Sequence, residues 1–223
     1  ESGGEAALIG KPAGAAGVAI CTSCHAGAKS HNDIEPKGAH AQAGVFCDSC
    51  HGIHGARPAA KLLRRPDSER CVSCHPNVRG SFGKPYTHRM NTSVAGGGRA
   101  GMQCYACHNP HGRGDGLVKQ TAAGETACLS CHTEKRGPFV FTHGALVAGD
   151  CGSCHEPHGS VNAMMLKRAT VAQLCLECHS NISGTTLGSQ PPSLHDVRSP
   201  RYQNCTTCHA AVHGSNVSPR LLR

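Results

Sequence analysis

Cys151-Gly-Ser-Cys154-His155-Glu-Pro-His158-Gly159 holds the pattern from which the rest of this chain can be understood. Two cysteines stand three residues apart, a histidine follows the second at once, and another histidine comes three residues later. The Cys-x-x-Cys-His part recurs eight times, at 21–25, 47–51, 71–75, 104–108, 128–132, 151–155, 175–179 and 205–209. Those copies use all sixteen cysteines of the chain.

Thiols at i and i+3 on one helical turn face the same way. Each can add to one vinyl group of the same porphyrin, and the next residue then lies under the iron as its proximal ligand, which is how c-type haem is attached. A zinc protein with sixteen cysteines could fill four Cys₄ sites and would need no histidine after each pair. Redox-active dithiols and disulfide frameworks do not need the histidines either. The expectation is therefore eight covalently attached haem c groups. Their thioether residues are Cys21, Cys24, Cys47, Cys50, Cys71, Cys74, Cys104, Cys107, Cys128, Cys131, Cys151, Cys154, Cys175, Cys178, Cys205 and Cys208.

Composition agrees. Aromatics are 3% of 223 residues, tryptophan is absent, and there are 28 glycines and 13 prolines. Such a chain cannot close an ordinary apolar core, so the macrocycles must serve as one, and binding energy becomes folding energy. The formal charge of +8 suggests nucleic acid only until the propionates are counted. Eight haems carry sixteen of them, which brings the oxidised holoprotein to about zero and the reduced one to about −8. No nucleic-acid partner is expected.

Attachment of haem c takes place outside the cytoplasmic membrane, so export is expected. The sequence begins at Glu1 without a charged n-region or apolar h-region, which reads as a signal peptide already removed. No apolar run approaches the roughly 20 residues needed to cross a bilayer, so no direct lipid span is expected.

Residues 1–20 form a Gly- and Ala-rich leader. From 21 to 223 the expectation is one octahaem domain of four paired-haem units, 21–55, 71–112, 128–159 and 175–214. The step from the second motif of one unit to the first of the next is 24 residues each time; within units it is 26, 33, 23 and 30. Constant linkers imply one preserved geometry, with loops of variable size inside the units. Asp67-Ser68 before Cys71 and Thr170 before Cys175 are helix-start signals. The fold class is a mostly irregular chain with short α-helices and little or no sheet, extended around a row of haems.

The eight proximal ligands are His25, His51, His75, His108, His132, His155, His179 and His209. Nine histidines remain: one in each interval between motifs, one after the last, and a second in the first interval. That series supplies a second axial ligand for every iron, namely His40, His54, His88, His111, His143, His158, His195 and His213. His31 competes with His40; His40 is preferred because it precedes Cys47 by seven residues, much as His143 precedes Cys151 by eight. Met90, Met102, Met164 and Met165 follow no repeat position and are read as apolar packing. His54, His111 and His158 follow a proximal histidine too closely to round that macrocycle, so each must reach a different iron. Gly55, Gly112, Gly159 and Gly214 then permit a tight turn against a porphyrin face.

An iron held by two histidines has no open position for substrate, so the chemistry is electron transfer, with no catalytic residue. From Cys128 onward the chain resembles the periplasmic multihaem cytochromes of outer-membrane porin–cytochrome conduits, the MtrA/DmsE-type family. The resemblance lies in Cys128-Leu-Ser-Cys-His132-Thr-Glu-Lys-Arg-Gly-Pro-Phe139 with His143, in Cys151 to Asn162, in Leu174-Cys175-Leu-Glu-Cys-His179, and in Cys205 to Asn216 with the terminal Leu-Leu-Arg. Residues 21–127 share the paired pattern more loosely. The resemblance implies a row of bis-histidine haems threaded into an outer-membrane β-barrel porin from its periplasmic side. Its implied partners are that porin, an extracellular multihaem cytochrome, and periplasmic electron donors or acceptors. Decahaem members carry ten motifs where this chain has eight. A soluble periplasmic shuttle and an extracellular filament subunit are the alternatives; a multihaem enzyme would need one open iron face.

Overall fold

The residues described by the computed structural model are 14–25, 39–52, 62–65, 67–90, 101–111, 118–121, 124–148, 150–180 and 195–222. The described chain has eight short helices, five of which carry motif cysteines. They are α1 (Gly14–His25), α2 (Ala39–Gln42), α3 (Cys47–Cys50), α4 (Asp67–Cys74), α5 (Pro76–Ser81), α6 (Cys104–Cys107), α7 (Gly144–Val147) and α8 (Val171–Leu176). The motifs at 128, 151 and 205 begin in 3₁₀ turns (Ala127–Ser130, Cys151–Ser153 and Cys205–Thr207). The remaining described chain is irregular apart from further short 3₁₀ turns and one two-stranded antiparallel sheet, β1 (Phe141–Thr142) and β2 (Gly214–Ser215). This is the fold class expected of a multihaem c-type chain.

Both helix-start signals act as such. Helix α4 opens at Asp67, and Thr170 caps α8 by accepting a hydrogen bond from the Gln173 amide at 3.2 Å.

The chain divides into two compact units. The first is Glu1–Pro76 with Met90–Lys119; the second is Asn77–Arg89 with Gln120–Arg223. In the first, α1 packs on α3 and α4 on α6, joining motif 1 to motif 2 and motif 3 to motif 4. In the second, α7 packs on the 151–153 turn and α8 on the 205–207 turn. Residues 77–89 leave the sequence neighbourhood of motifs 3 and 4 and join the second unit. There Tyr86 pairs with Ser160, and the Lys84 ammonium donates to the Gly159 carbonyl at 3.2 Å.

The sheet is small but well placed. Phe141 pairs with Ser215 and Thr142 with Gly214, so His143 and His213 leave the ladder side by side. The Val140 amide extends the pairing by donating to the Asn216 side chain at 2.9 Å. Two buried serines tie down the chain after the closing histidines. Ser160 donates to the Leu166 carbonyl (2.7 Å) and accepts from the Asn162 amide, while Ser215 accepts from the amides of Val217 and Ser218.

Among the described residues Ala127 is the only buried apolar side chain, while Val140, Val147, Val161, Met164 and Val217 stand exposed. The described polypeptide closes no apolar core of its own. A chain of this length ordinarily buries most of its aliphatic side chains, so an apolar mass other than protein has to be accommodated.

The glycines after the closing histidines have protein neighbours that explain them. At Gly159 (φ 136°) a Cβ would run into the Ser81 carbonyl, and at Gly214 (φ 158°) into the Phe139 ring. Gly55 and Gly112 lie outside the described residues. Gly214→Ala should therefore destabilise the holoprotein by roughly 1–3 kcal/mol, seen as a lowered melting temperature. An unchanged melting temperature would mean that Phe139 moves aside freely.

Candidate haem-iron sites

Seven of the motifs are one helical turn closed by their own histidine. The amides of His51, His75, His108, His132, His155, His179 and His209 donate to the carbonyl of the first cysteine of their motif, at 2.8–3.0 Å. This i+4 closure brings the two sulfurs to one face and sets the histidine beside them.

The sulfurs also order the motifs in space. Burial pushes the Cys47 thiol up, and Cys21 adds to this by charge and a hydrogen bond. The same causes act on Cys151 from Cys128, and on Cys175 from Cys205, where the thiol is pushed up to about 11. Burial raises Cys154 too, with Cys178 as the next cause. In the second compact unit the motifs at 128, 151, 175 and 205 thus neighbour one another in chain order.

Among the described residues six pairs of histidine rings lie close together. Their centroid separations are His40–His75 6.2 Å, His51–His111 6.0 Å, His88–His132 6.2 Å, His143–His179 6.0 Å, His155–His213 6.4 Å and His195–His209 6.4 Å. Every pair joins one motif histidine to one histidine outside the motifs. Contact between aromatic rings spans 4.5–7 Å, so distance alone would not single out a metal. The strict one-of-each composition does, together with the narrow range of separations. An iron at about 2 Å from each ligating nitrogen, with each ring centre about 1.1 Å further on, puts the centres roughly 6.2 Å apart.

Four of these rings have a backbone partner at the other nitrogen. His40 Nδ1 lies 3.2 Å from the Pro110 carbonyl oxygen and His88 Nδ1 2.9 Å from that of Pro157; His155 Nδ1 is 2.9 Å from Met164 O, and His209 Nδ1 2.7 Å from Arg220 O. With Nδ1–H donating to a carbonyl, Nε2 keeps the lone pair that a metal requires. Met164 and Met165 take part through backbone carbonyls, at φ of 55° and 54°. Burial lowers the proton affinity of His213, with Lys135, His155 and His143 adding to the effect. It is therefore neutral, and fit to ligate, down to a lower pH than an exposed imidazole.

Twelve of the sixteen histidines read from sequence as ligands fall into these pairs. His25, His108 and His158 are described residues outside the six; the His158 ring meets Phe82 edge-on at 5.5 Å. His54 lies outside the described residues, as does His31, the rival of His40. Among the described residues no group of three or more His, Cys, Asp or Glu is placed to hold a metal ion. Neither the pairing itself nor the carbonyls of Pro110 and Pro157 can be read from sequence.

The pair geometry has a spectroscopic consequence. Ring planes are near-parallel (12–19°) in four pairs but turned by 47° in His40–His75 and by 61° in His88–His132. With an iron in each pair, the oxidised protein should give both rhombic low-spin and strongly anisotropic, large-g low-spin resonances by EPR. Finding a single class would contradict this geometry.

Comparison with known proteins points the same way. The family described as a doubled CXXCH motif matches residues 143–184, cytochrome c3 matches 39–133, and cytochrome c554 and c-prime matches 8–52. The curated multiheme cytochrome MtrA of Shewanella baltica (strain OS185) is 37% identical over 205 residues, covering 88% of this chain. The chain spans 57% of the length of that relative. Among the described residues no helix is long and apolar enough to cross a membrane.

Proposed function

We propose that this chain is a multihaem c-type cytochrome of the MtrA type, and that it moves electrons along eight bis-histidine haems across an outer membrane, inside a β-barrel porin. Electron transfer through covalently bound haem is the common property of the family. Haem supplies a one-electron couple at each site. The cysteine pairs of the eight motifs anchor it, and the histidine after each pair is the proximal ligand.

The observation that carries this reading is the set of six histidine pairs, each uniting a motif histidine with one from elsewhere in the chain. His40 then serves the His75 site, His111 the His51 site and His88 the His132 site. His143 serves the His179 site, His213 the His155 site and His195 the His209 site. His54 and His158 complete the distal set, with His31 surplus. An iron held within any of the six pairs would have both axial positions taken and no face left for a substrate, which supports a carrier over an enzyme.

The ligands cross between units in a pattern. Histidines inside a unit (His40, His88, His143) reach forward to the first motif of the next unit. Closing histidines (His111, His213) reach back to the second motif of the preceding one. His195, in the last unit, turns to its own second motif. Such crossing holds neighbouring sites close, as electron transfer requires.

The chain bears no membrane-spanning helix among its described residues, so crossing roughly 30 Å of hydrocarbon requires an enclosing protein. The proposed partners are the barrel, an extracellular multihaem cytochrome at its outer end and periplasmic donors or acceptors at its inner end. Native-membrane isolation tests this: co-purification with a barrel supports the conduit, and recovery solely as free protein replaces it with a soluble shuttle.

Two further outcomes test the sites. Intact mass should exceed that of the polypeptide by eight haems, all low-spin. His111→Ala and His213→Ala should each convert one haem to a high-spin, carbon monoxide-binding form while seven stay low-spin. Eight low-spin haems in either variant would remove that histidine from the ligand set.

A further inference from the structure

Each paired unit is followed by two apolar residues and a cation: Leu62-Leu63-Arg64, Leu117-Val118-Lys119, Met165-Leu166-Lys167 and Leu221-Leu222-Arg223. They lie 11 to 14 residues beyond the histidine of the unit's second motif, a spacing too irregular to announce a repeat. The fold aligns the first three. The amides of Arg64, Lys119 and Lys167 donate to the carbonyls of Cys50, Cys107 and Cys154, at 3.1, 2.8 and 3.0 Å. In all three units the acceptor is the second cysteine of the second motif.

The cationic groups converge as well. Arg64 Nε donates to the carbonyls of Asp48 (2.9 Å) and His51 (3.2 Å), and Lys119 Nζ donates to that of Tyr105 (2.9 Å). Asp48 and Tyr105 occupy the same slot, the residue after the first cysteine. A fixed positive charge therefore sits against the motif turn, close to its second anchoring cysteine or its proximal histidine. Turn carbonyls favour a cation there, as they do at the C-terminal end of a helix.

We infer that Arg64 and Lys119 are positioning residues that raise the reduction potential of the second haem in their units, a role that rests on the haem content proposed above. A positive charge beside a redox group stabilises the form that has gained an electron, and a clasp hydrogen-bonded to the motif holds it at constant distance. The first motif of the third unit provides a contrast. There Arg136 Nη2 donates to Leu129 O, the same slot, at 3.1 Å, but its guanidinium is ion-paired with Glu125 at 3.0 Å. One version of this charge is thus neutralised, and the others carry no ion pair among the described residues.

The test is a spectroscopic redox titration of the holoprotein as Arg64→Gln and Lys119→Gln, each beside its conservative partner, Arg64→Lys or Lys119→Arg. Haem content and spin state are measured on the same samples, so loss of the haems themselves would be seen separately. In each Gln variant one component should move to more negative potential by about tenfold in its equilibrium, 59 mV for one electron. The conservative variants should restore it. Glu125→Gln, which removes no cation, should move one component the other way and decides the matter should a Gln variant fail to load haem. Unchanged potentials in haem-replete Gln variants, or in Glu125→Gln, would overturn the inference and leave these residues as closures of the turn.

Discussion

Two imidazoles facing one another about 6 Å apart are the element without which nothing else in this molecule would hold its place. One ring is delivered by the shortest possible route, as the residue after a cysteine pair. The other arrives from far along the chain: 35 residues away for His40 and His75, 60 for His51 and His111, 58 for His155 and His213. Tertiary contacts over such separations normally come from an apolar core. Among the described residues histidine pairs make such contacts, and the described chain between them is mostly irregular.

The crossing of ligands between units follows from reach. A histidine three residues beyond a proximal ligand cannot round its own macrocycle, so it must serve a neighbour. His111 does so while Pro110, the residue before it, orients His40 for a different site. Two consecutive residues thus bear on two separate pairs. The small sheet repeats the device with His143 and His213, which leave adjacent strand ends for the 179 and 155 sites.

Charge is arranged with comparable economy. The sequence carries +8, and three of its cations, Arg64, Lys119 and Arg136, sit against backbone carbonyls of the motif turns. Closing the turn and placing a cation there are accomplished by one residue, through its amide and its side chain respectively. Asp196, buried and bonded to the Arg198 amide and guanidinium, plays a similar local part after His195.

What was legible in the order of residues alone is local: the cofactor class, the short-helix character and haem-based electron transfer. A helical turn converts Cys-x-x-Cys-His into a site without help from the rest of the chain. Asp67 and Thr170 foretell two helix starts for the same reason. Which distal histidine faces which proximal one is legible nowhere but in the folded chain, as is the adjacency of the motifs from 128 to 205. The same holds for the membership of 77–89 in the second compact unit and for the basic residue that closes successive motif turns. Those features depend on connections of 23 to 33 residues between motifs, and a loop of that length admits many closures with similar entropy. The choice among them is made by packing and by backbone hydrogen bonds between residues whose separation in sequence carries no period.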